Sequence, residues 1–565
     1  MATSTRTTDV LIVGAGPVGL VTAYQLARFG GGVTVTIIEK HAKNLQDAYG
    51  RAITLFPRSS EMLDQLGLAD ELAQQCFACR DTAAYNAKGE EVKGRGWTFL
   101  EQMHDTAWGF ALVLRQKYQE EIFRKAMAKF GVHVEAPVEL VAMDVDENVA
   151  LGDHRVTATV LDGTTQQTST IRCKYLIGSD GGRSSVRRML SIPFEGSMTE
   201  DRWVRIDGPI KTNLPKPRTY CSIESPTHGN VLWAALDHGA TRIGYAFTAE
   251  RAKAYEVFDE AAAVKEAIAS VKPFTLEFEK VDWWTIYSVG QRIAQSFFIK
   301  DCIFLAGDAC HTHSSGAAQG MNTGLHDAVN LAWKLSLVLR GLANPEILHT
   351  YQAERLPNVQ KLIQYDKDIS RLMTNRLPES WTGDPAADVH EILGTELQAV
   401  NMLSVAGSFA GGDELVDIKP GKRASDVTLL KPGTFDKTRL LVHTPNVGRF
   451  YIVVFAGEAF DAEQAFFEAA KGSQALGRLQ DGDLVNYLTL LGKPGPGTYE
   501  GLGHDPLGRA FFDDAEHTAH TRYGVDILKG AVAVLRPDGW VGTMAVLGAA
   551  TVAELEQYFA RVFTA

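Results

Sequence analysis

The segment from Val10 to Glu39 constrains the fold of this chain more than any other. Val10-Leu11-Ile12-Val13 is a short apolar run of the kind found in strands buried on both faces. Gly14-Ala15-Gly16-Pro17-Val18-Gly19 follows it, and Leu20 to Ala27 reads as a helix. A second apolar strand, Val33 to Ile38, ends in Glu39. Strand, glycine-rich turn, helix, strand and acid, in that order, predict a βαβ unit that holds a dinucleotide at its carboxyl edge. Gly14 permits the tight turn, Gly16 lets the backbone approach a pyrophosphate, and Gly19 lets helix and strand pack closely. Pro17 belongs to the same turn. The free N–H groups and positive dipole end of the helix face the phosphates. Glu39 lies twenty residues past Gly19, where a carboxylate can accept ribose hydroxyls, and Lys40 is assigned to the same site.

The rest of the composition narrows the class. At roughly 150 residues per domain, 565 residues suggest about three or four packing units. With 45% hydrophobic and 22% charged residues, the chain has the apolar surface that a disordered chain lacks. A net charge of −12 disfavours binding to a nucleic-acid backbone. Six Cys are too sparse for a disulfide scaffold. The polar residues Met1 to Asp9 contain no apolar signal region, and no run approaches the roughly 18 apolar residues of a membrane span. A soluble cytoplasmic protein without a membrane span is expected. Cys76 and Cys79 lack the second pair of a zinc site, and Cys310, His311 and His313 crowd one loop, where side chains rarely converge on one ion. No metal site is expected.

Two further turns resemble ligand-binding strand exits. Tyr175-Leu176-Ile177-Gly178 leads into Ser179-Asp180-Gly181-Gly182, and Cys302 to Ala306 leads into Gly307-Asp308. The loop after Asp308 passes through Gly320-Met321-Asn322 into a helix containing Leu325 to Lys334. An acid at a strand's end, a glycine-rich loop and a helix N-terminus can hold a ribityl hydroxyl and a phosphate. Asp180, Gly307, Asp308, Gly320, Met321 and Asn322 are therefore added to the cofactor site. Each turn alone also reads as an ordinary strand exit.

The ordered combination resembles the single-component flavoprotein aromatic hydroxylases, in particular their phenol hydroxylase branch, from Asp9 to about Leu356. Gly50 to Glu61 resembles an arginine-containing block of that family, and Val281 to Arg292 resembles its block preceding the third motif. The resemblance implies resident FAD, with Arg51 reaching the pyrophosphate and Gln116 contacting the cofactor. Only one dinucleotide fingerprint is present, and the resemblance implies that NADPH or NADH visits as a transient reductant without a domain of its own. The resemblance further implies dioxygen as co-substrate and a flavin 4a-hydroperoxide that hydroxylates a small phenolic or aromatic molecule. Two departures stand out. Ile53 occupies the position where some phenol hydroxylases carry Asp, and the loop after His313 reads Ser-Ser-Gly-Ala-Ala where relatives often have Ser-Pro-Lys-Ala-Gly.

The implied fold class is α/β: a Rossmann-type FAD domain with an inserted antiparallel-sheet substrate domain, plus a C-terminal thioredoxin-like domain. The expected FAD domain comprises residues 1–75, 105–190 and 288–400, the sheet domain 76–104 and 191–287, and the C-terminal domain 411–565. The segment Asp81 to Val92 is expected to add strands to the inserted sheet. The last domain contains no Cys and cannot exchange dithiols; packing, or formation of a homodimer, is its expected role. Pro378 to Ala387 and Gly492 to Tyr523 read as loops. In the inserted sheet, Trp233, Tyr245 and Trp284 either line a substrate pocket or fill a core, the commoner role. Tyr287 is expected to be catalytic, hydrogen-bonding the substrate hydroxyl, against a packed Tyr at a strand end. Arg242 meets a substrate carboxylate or makes a sheet contact. The same scaffold also admits oxidative decarboxylation, dearomatisation, ring expansion, or a non-catalytic flavin-binding role.

Overall fold

The structure, a computed structural model, describes residues 5–47, 50–93, 106–314, 318–373, 411–412 and 420–564. The expected loop Pro378 to Ala387, part of the 76–104 segment and Ser315 to Ala317 lie outside the described residues.

Five parallel strands form the middle of the first sheet, in the order Ile303–Leu305, Thr168–Gly178, Thr5–Val13, Val35–Ile38 and Val134–Glu135. Val10, Leu11 and Ile12 are fully buried because helices cover both faces of a parallel sheet. The helix Pro17–Phe29 follows the first strand. The helix Gly320–Leu339 packs against it, with Gln25 Nε2 donating to Ala328 O at 3.2 Å. The antiparallel hairpin Val138–Val145 and Val156–Asp162 extends the sheet beside Thr168–Gly178.

The second sheet has seven strands, in the order His311–Thr312, Trp283–Ala294, Phe194–Gly208, Thr241–Phe247, Gly229–Ala235, Tyr220–Ser225 and Thr82–Tyr85. Thr82–Tyr85 runs parallel to Tyr220–Ser225, and the other pairings are antiparallel. Strand residues alternate between faces. Val204, Ile206, Trp233, Ile243 and Tyr245 share one apolar cluster with Ala263 and Ala267 of the helix Glu260–Ser270, and Trp284 packs against it. Those aromatic residues fill a core. The opposite face meets Ile53 and Phe56 through Tyr220, Leu232 and Ala234.

The third sheet is centred on Phe450–Gly457, parallel to Val485–Leu491 and antiparallel to Ala531–Leu535, which pairs with Val541–Val546. Helices Phe460–Gly472 and Thr551–Ala560 complete the βαβ and ββα order of a thioredoxin-like fold. The expected loop from Gly492 to Tyr523 instead contains a helix, Thr498–Leu502, a strand, Arg509–Phe512, and a helix, Thr518–Arg522. Phe511 and Phe512 bury themselves beside Val485–Leu491, which offsets the turn-forming composition around them. No helix among the described residues is long and apolar enough to cross a membrane.

The third sheet's hairpin Arg536 to Trp540 plugs into the first domain. Arg536 donates to both oxygens of Glu354 at 2.9 Å each and to Asp538 at 3.0 and 2.6 Å. Lys334 Nζ reaches Glu354 at 2.8 Å, and Trp333 Nε1 donates to Asp538 at 3.0 Å. Burial pushes the Lys334 ammonium down to about 8. Burial would raise the Glu354 carboxyl, but Arg536 and Lys334 overcome it and hold the group well below the usual carboxylate range. Arg58, fully buried, donates to Asp538 O at 2.8 Å and lies over the Trp540 ring at 4.1 Å. Removing the Glu354 charge leaves buried Lys334 without its ion-pair partner and Arg536 with Asp538 alone. Glu354→Gln is therefore expected to lose about 3–5 kcal/mol in chemical denaturation. Asp47→Asn, which breaks the solvent-exposed Lys43–Asp47 pair, should leave the midpoint unchanged; equal midpoints for the two variants would contradict the network's importance.

Candidate active site

Three turns meet at the carboxyl ends of neighbouring strands, because Val13 is in register with Gly178 and Gly178 with Leu305. Gly14 has φ +103°, and a Cβ there would stand 2.4 Å from Ser179 O. A Cβ on Gly19 would stand 2.0 Å from Gly14 O, so helix and turn touch only because that carbon is missing. Gly16 differs: a Cβ there would meet nothing within 4 Å, and it faces open space at the helix N-terminus. Pro17 opens that helix, whose first turn has no acid and whose N-cap makes no side-chain hydrogen bond. Such an end is suited to an anion. Glu39 accepts from Ala15 N at 3.1 Å and His41 N at 3.0 Å, which holds its carboxylate under the turn, and Lys40 is exposed beyond it.

In the second turn, Asp180 Oδ2 accepts from Ser185 N at 2.6 Å, Ser185 Oγ at 2.7 Å and Val186 N at 3.2 Å. Its Oδ1 is buried without a partner among the described residues. In the third, Gly307 has φ +61° and packs on Val18, while Asp308 is exposed. Gly320, Met321 and Asn322 begin the helix Gly320–Leu339 beside Gly307, since a Cβ on Gly324 would lie 3.3 Å from Gly307 Cα. Two helix N-termini thus share one edge. Arg187 stitches the second turn to the third, donating to Gly182 O at 2.9 Å and Ala309 O at 2.6 Å. An open backbone cradle, an unpartnered carboxylate oxygen and two helix ends suit the pyrophosphate and ribityl chain of FAD.

Behind the third turn, Asp327 accepts from Gly307 N at 2.9 Å, pairs with His311 at 2.7 Å and receives Arg355 Nε at 2.7 Å. Burial pushes this carboxyl up, yet His311 and Arg355 bring it down to about 2. Cys310, His311 and Asp327 lie within 4.8 Å of one another, but the carboxylate's oxygens are already taken by Gly307 N, His311 and Arg355. Asp327, Arg355 and Arg187 escaped sequence reasoning; a buried acid in an apolar helix was the signal for Asp327.

The remaining predicted residues line the gap between this edge and the second sheet. Gln116 Oε1 accepts from Ala52 N at 3.1 Å, so it fixes the backbone that carries Arg51. Asn322 spends its amide on backbone, accepting from Phe56 N at 2.9 Å and donating to Thr54 O and Ala318 O at 3.0 Å. Arg51 is exposed, with its guanidinium 4.9 Å from the ring centre of half-buried Tyr287. Arg242 is buried in a bidentate pair with Asp207 at 2.7 and 2.8 Å and also donates to Arg51 O, which ties that loop to the sheet. Ile53 lies in an apolar cluster with Tyr220, Leu232, Ala234 and Tyr365, against which Ala318 packs. Tyr220 OH and Thr54 Oγ1 are 3.3 Å apart. Tyr220 and Tyr365 were not anticipated from the sequence.

This edge and sheet define the fold and site of a flavin-dependent aromatic monooxygenase. The chain belongs to the FAD binding domain family, which it matches over residues 7–366, and residues 502–565 match the phenol hydroxylase C-terminal dimerisation domain. It is similar to a phenol 2-monooxygenase of Aspergillus fumigatus, 28% identical over 575 residues that cover 96% of this chain and 95% of the relative. It is also similar to the 3-hydroxybenzoate 4-monooxygenase of Comamonas testosteroni, 30% identical over 401 residues, 66% of this chain and 61% of that one. The solved ternary complex of aklavinone-11 hydroxylase with FAD and aklavinone shares the fold, with a TM-score of 0.73, 22% identity and 98% coverage of both chains. The protein binds FAD and hydroxylates aromatic compounds.

Two measurements follow from this geometry. Gly16→Val should keep the stability of the apoprotein yet yield a colourless protein, whereas Gly14→Ala should lose on the order of 1–3 kcal/mol of stability, read by denaturation and flavin absorbance. A yellow Gly16→Val protein would contradict the cradle. Asp327, depressed from 3.8 to about 2, contributes stability that is fully present above about pH 4 and is lost as pH falls through about 2. The loss should total about 2 kcal/mol, and Asp327→Asn should show a flatter acid limb; an unchanged limb would contradict the assignment.

Proposed function

We propose that this chain takes electrons from NADPH or NADH and, with dioxygen, places one oxygen atom on the ring of a small phenolic substrate. Bound FAD supplies the redox chemistry, and the protein supplies position, exclusion of water and control of one proton. The observation that carries this reading is the apolar cluster of Ile53, Tyr220, Leu232, Ala234 and Tyr365 between the cofactor edge and the second sheet. It offers a flat aromatic molecule a dry wall with polar groups at its rim. Gly14, Gly16, Pro17, Gly19, Glu39, Lys40, Arg51, Gln116, Asp180, Gly307, Asp308, Gly320, Met321 and Asn322 form the cofactor site in this reading. Among them, Gln116 and Asn322 act by holding the backbone of residues 52 to 56.

Tyr287 receives the substrate hydroxyl. A phenol near pKa 10 must lose or share its proton before the ring is rich enough in electrons. Arg51 above the Tyr287 ring favours negative charge nearby. Arg242, engaged by Asp207, supports this wall from behind. The C-terminal domain joins two copies as a homodimer, and the domain limits 1–75, 105–190 and 288–400, 76–104 and 191–287, and 411–565 belong to the same proposal.

Purified yellow protein should oxidise NADPH or NADH faster when a phenol is added, with a product one oxygen atom heavier. Tyr287→Phe should keep its flavin and its reductant oxidation but lower product per reductant at least tenfold. Coupling at the wild-type level would remove Tyr287 from the mechanism. A product that has lost carbon dioxide would replace hydroxylation by oxidative decarboxylation.

A further inference from the structure

We propose that Glu120 is a positioning residue for the hydroxylation, which orients the Gln116 amide and thereby fixes the peptide plane that carries Arg51. The inference rests on the preceding reading, in which residues 50–56 belong to the cofactor site. The plane between Arg51 and Ala52 is gripped at both ends. Its carbonyl oxygen, Arg51 O, accepts from Arg242 of the second sheet, and its N–H, on Ala52, donates to Gln116 Oε1 at 3.1 Å. The backbone N of Gln116 also donates to Ala52 O at 3.0 Å. A Cβ on Gly50 would stand 3.1 Å from the Gln116 Cβ, so the two segments lie in close contact. Rotating the plane would break bonds to two separate elements.

A carboxamide has an oxygen at one end and an NH2 group of nearly the same shape at the other, so its hydrogen bonds decide which end faces Ala52. The Ala52 N–H needs an acceptor. A reversed amide would set two donors against each other and leave that N–H unpaired. Glu120 decides the orientation. It lies one turn further along the helix Gln116–Ala128, on the same face as Gln116. Gln116 Nε2 donates to Glu120 Oε1 at 2.8 Å. An ionised carboxylate only accepts, so it takes the NH2 end and leaves the oxygen for Ala52. Glu120 is buried, and among the described residues Gln116 Nε2 is the one donor to its side chain. Burial raises this carboxyl above its ordinary value, against the pull of Gln116 and Arg124. Arg124, a further turn along, donates to Ala15 O at 3.3 Å and to Gln46 Oε1 at 2.5 Å, so the same helix face also holds the first glycine turn. Across the loop, Arg242 is oriented in the same manner by a buried acid, Asp207.

The test compares Glu120→Leu and Glu120→Gln with a control on the same helix, Glu121→Leu, which breaks an exposed pair with Lys125 at 3.8 Å. In the full-length chain before FAD is added, amide exchange of Ala52 should quicken about tenfold or more in Glu120→Leu, while the strand Phe450–Gly457 exchanges as in the wild type. FAD, titrated by its fluorescence, should then bind about tenfold or more weakly. Glu120→Gln, whose amide oxygen still accepts from Gln116, should stay within about threefold of the wild type in both readouts. Glu121→Leu should match the wild type. Glu120→Ala carries the test if Glu120→Leu does not accumulate. Unchanged Ala52 exchange in Glu120→Leu overturns the proposal. So does an equal loss in Glu120→Gln, where the effect would follow the charge, or in Glu121→Leu, where it would follow the helix as a whole. Faster exchange with unaltered FAD affinity would instead remove residues 50–56 from the cofactor site, the reading beneath this one.

Discussion

Two buried charge pairs between two helices organise the molecule. Asp327 and Lys334 lie two turns apart on Gly320–Leu339, and each meets a residue of opposite sign from His349–Met373: Arg355 for the first, Glu354 for the second. Reversing the sign along one helix pair gives each charge one correct neighbour and penalises a shifted register. Each pair also reaches outward. Asp327 holds the Gly307 turn through its backbone N–H, and Glu354 receives Arg536 of the third sheet. The cofactor edge and the C-terminal domain are thereby attached two turns apart on one rigid helix. Because the groups are buried, this attachment is little weakened by salt, unlike a surface ion pair.

The second sheet divides its labour by face. One side is closed by Glu260–Ser270 and contains Trp233 and Tyr245; the other carries Trp203, Arg205, Asp207, Arg242 and Tyr287 toward the cofactor edge. Arg242 couples the two regions, since it binds Asp207 within the sheet and the carbonyl of Arg51 on the loop. A movement of that loop must therefore break a contact to a buried guanidinium. Position 53, where some phenol hydroxylases carry an acid, instead contributes an apolar side chain to the wall.

The cofactor edge could be read in the sequence because its constraints are local. Gly14 is demanded by its positive φ and Gly19 by a 2.0 Å approach to Gly14 O within the same turn, so their spacing survives in the text of the chain. The facing of the second sheet could not be read in this way. Thr241–Phe247 is buried at all seven positions, so no alternation of polar and apolar residues marks which side chains face the pocket. Tyr220 lies on another strand of that sheet and Tyr365 on the helix His349–Met373, brought to the wall only by folding, whereas Trp233 and Tyr245 drew attention by size alone. Arg509–Phe512 was hidden because four residues after a Gly- and Pro-rich stretch gain strand structure only from a neighbouring edge. Asp327 and Glu354 are ordinary acids on helices until folding supplies Arg355 and Arg536 from elsewhere in the chain.

The account depends on three turns, far apart in sequence, acting on one FAD. Backbone hydrogen exchange of the apoprotein, before and after FAD is added, tests this most directly. Slowed exchange is predicted together in residues 14–19, 179–182 and 307–309, at a single FAD concentration midpoint. Protection confined to the first turn, or midpoints that differ between turns, would contradict it.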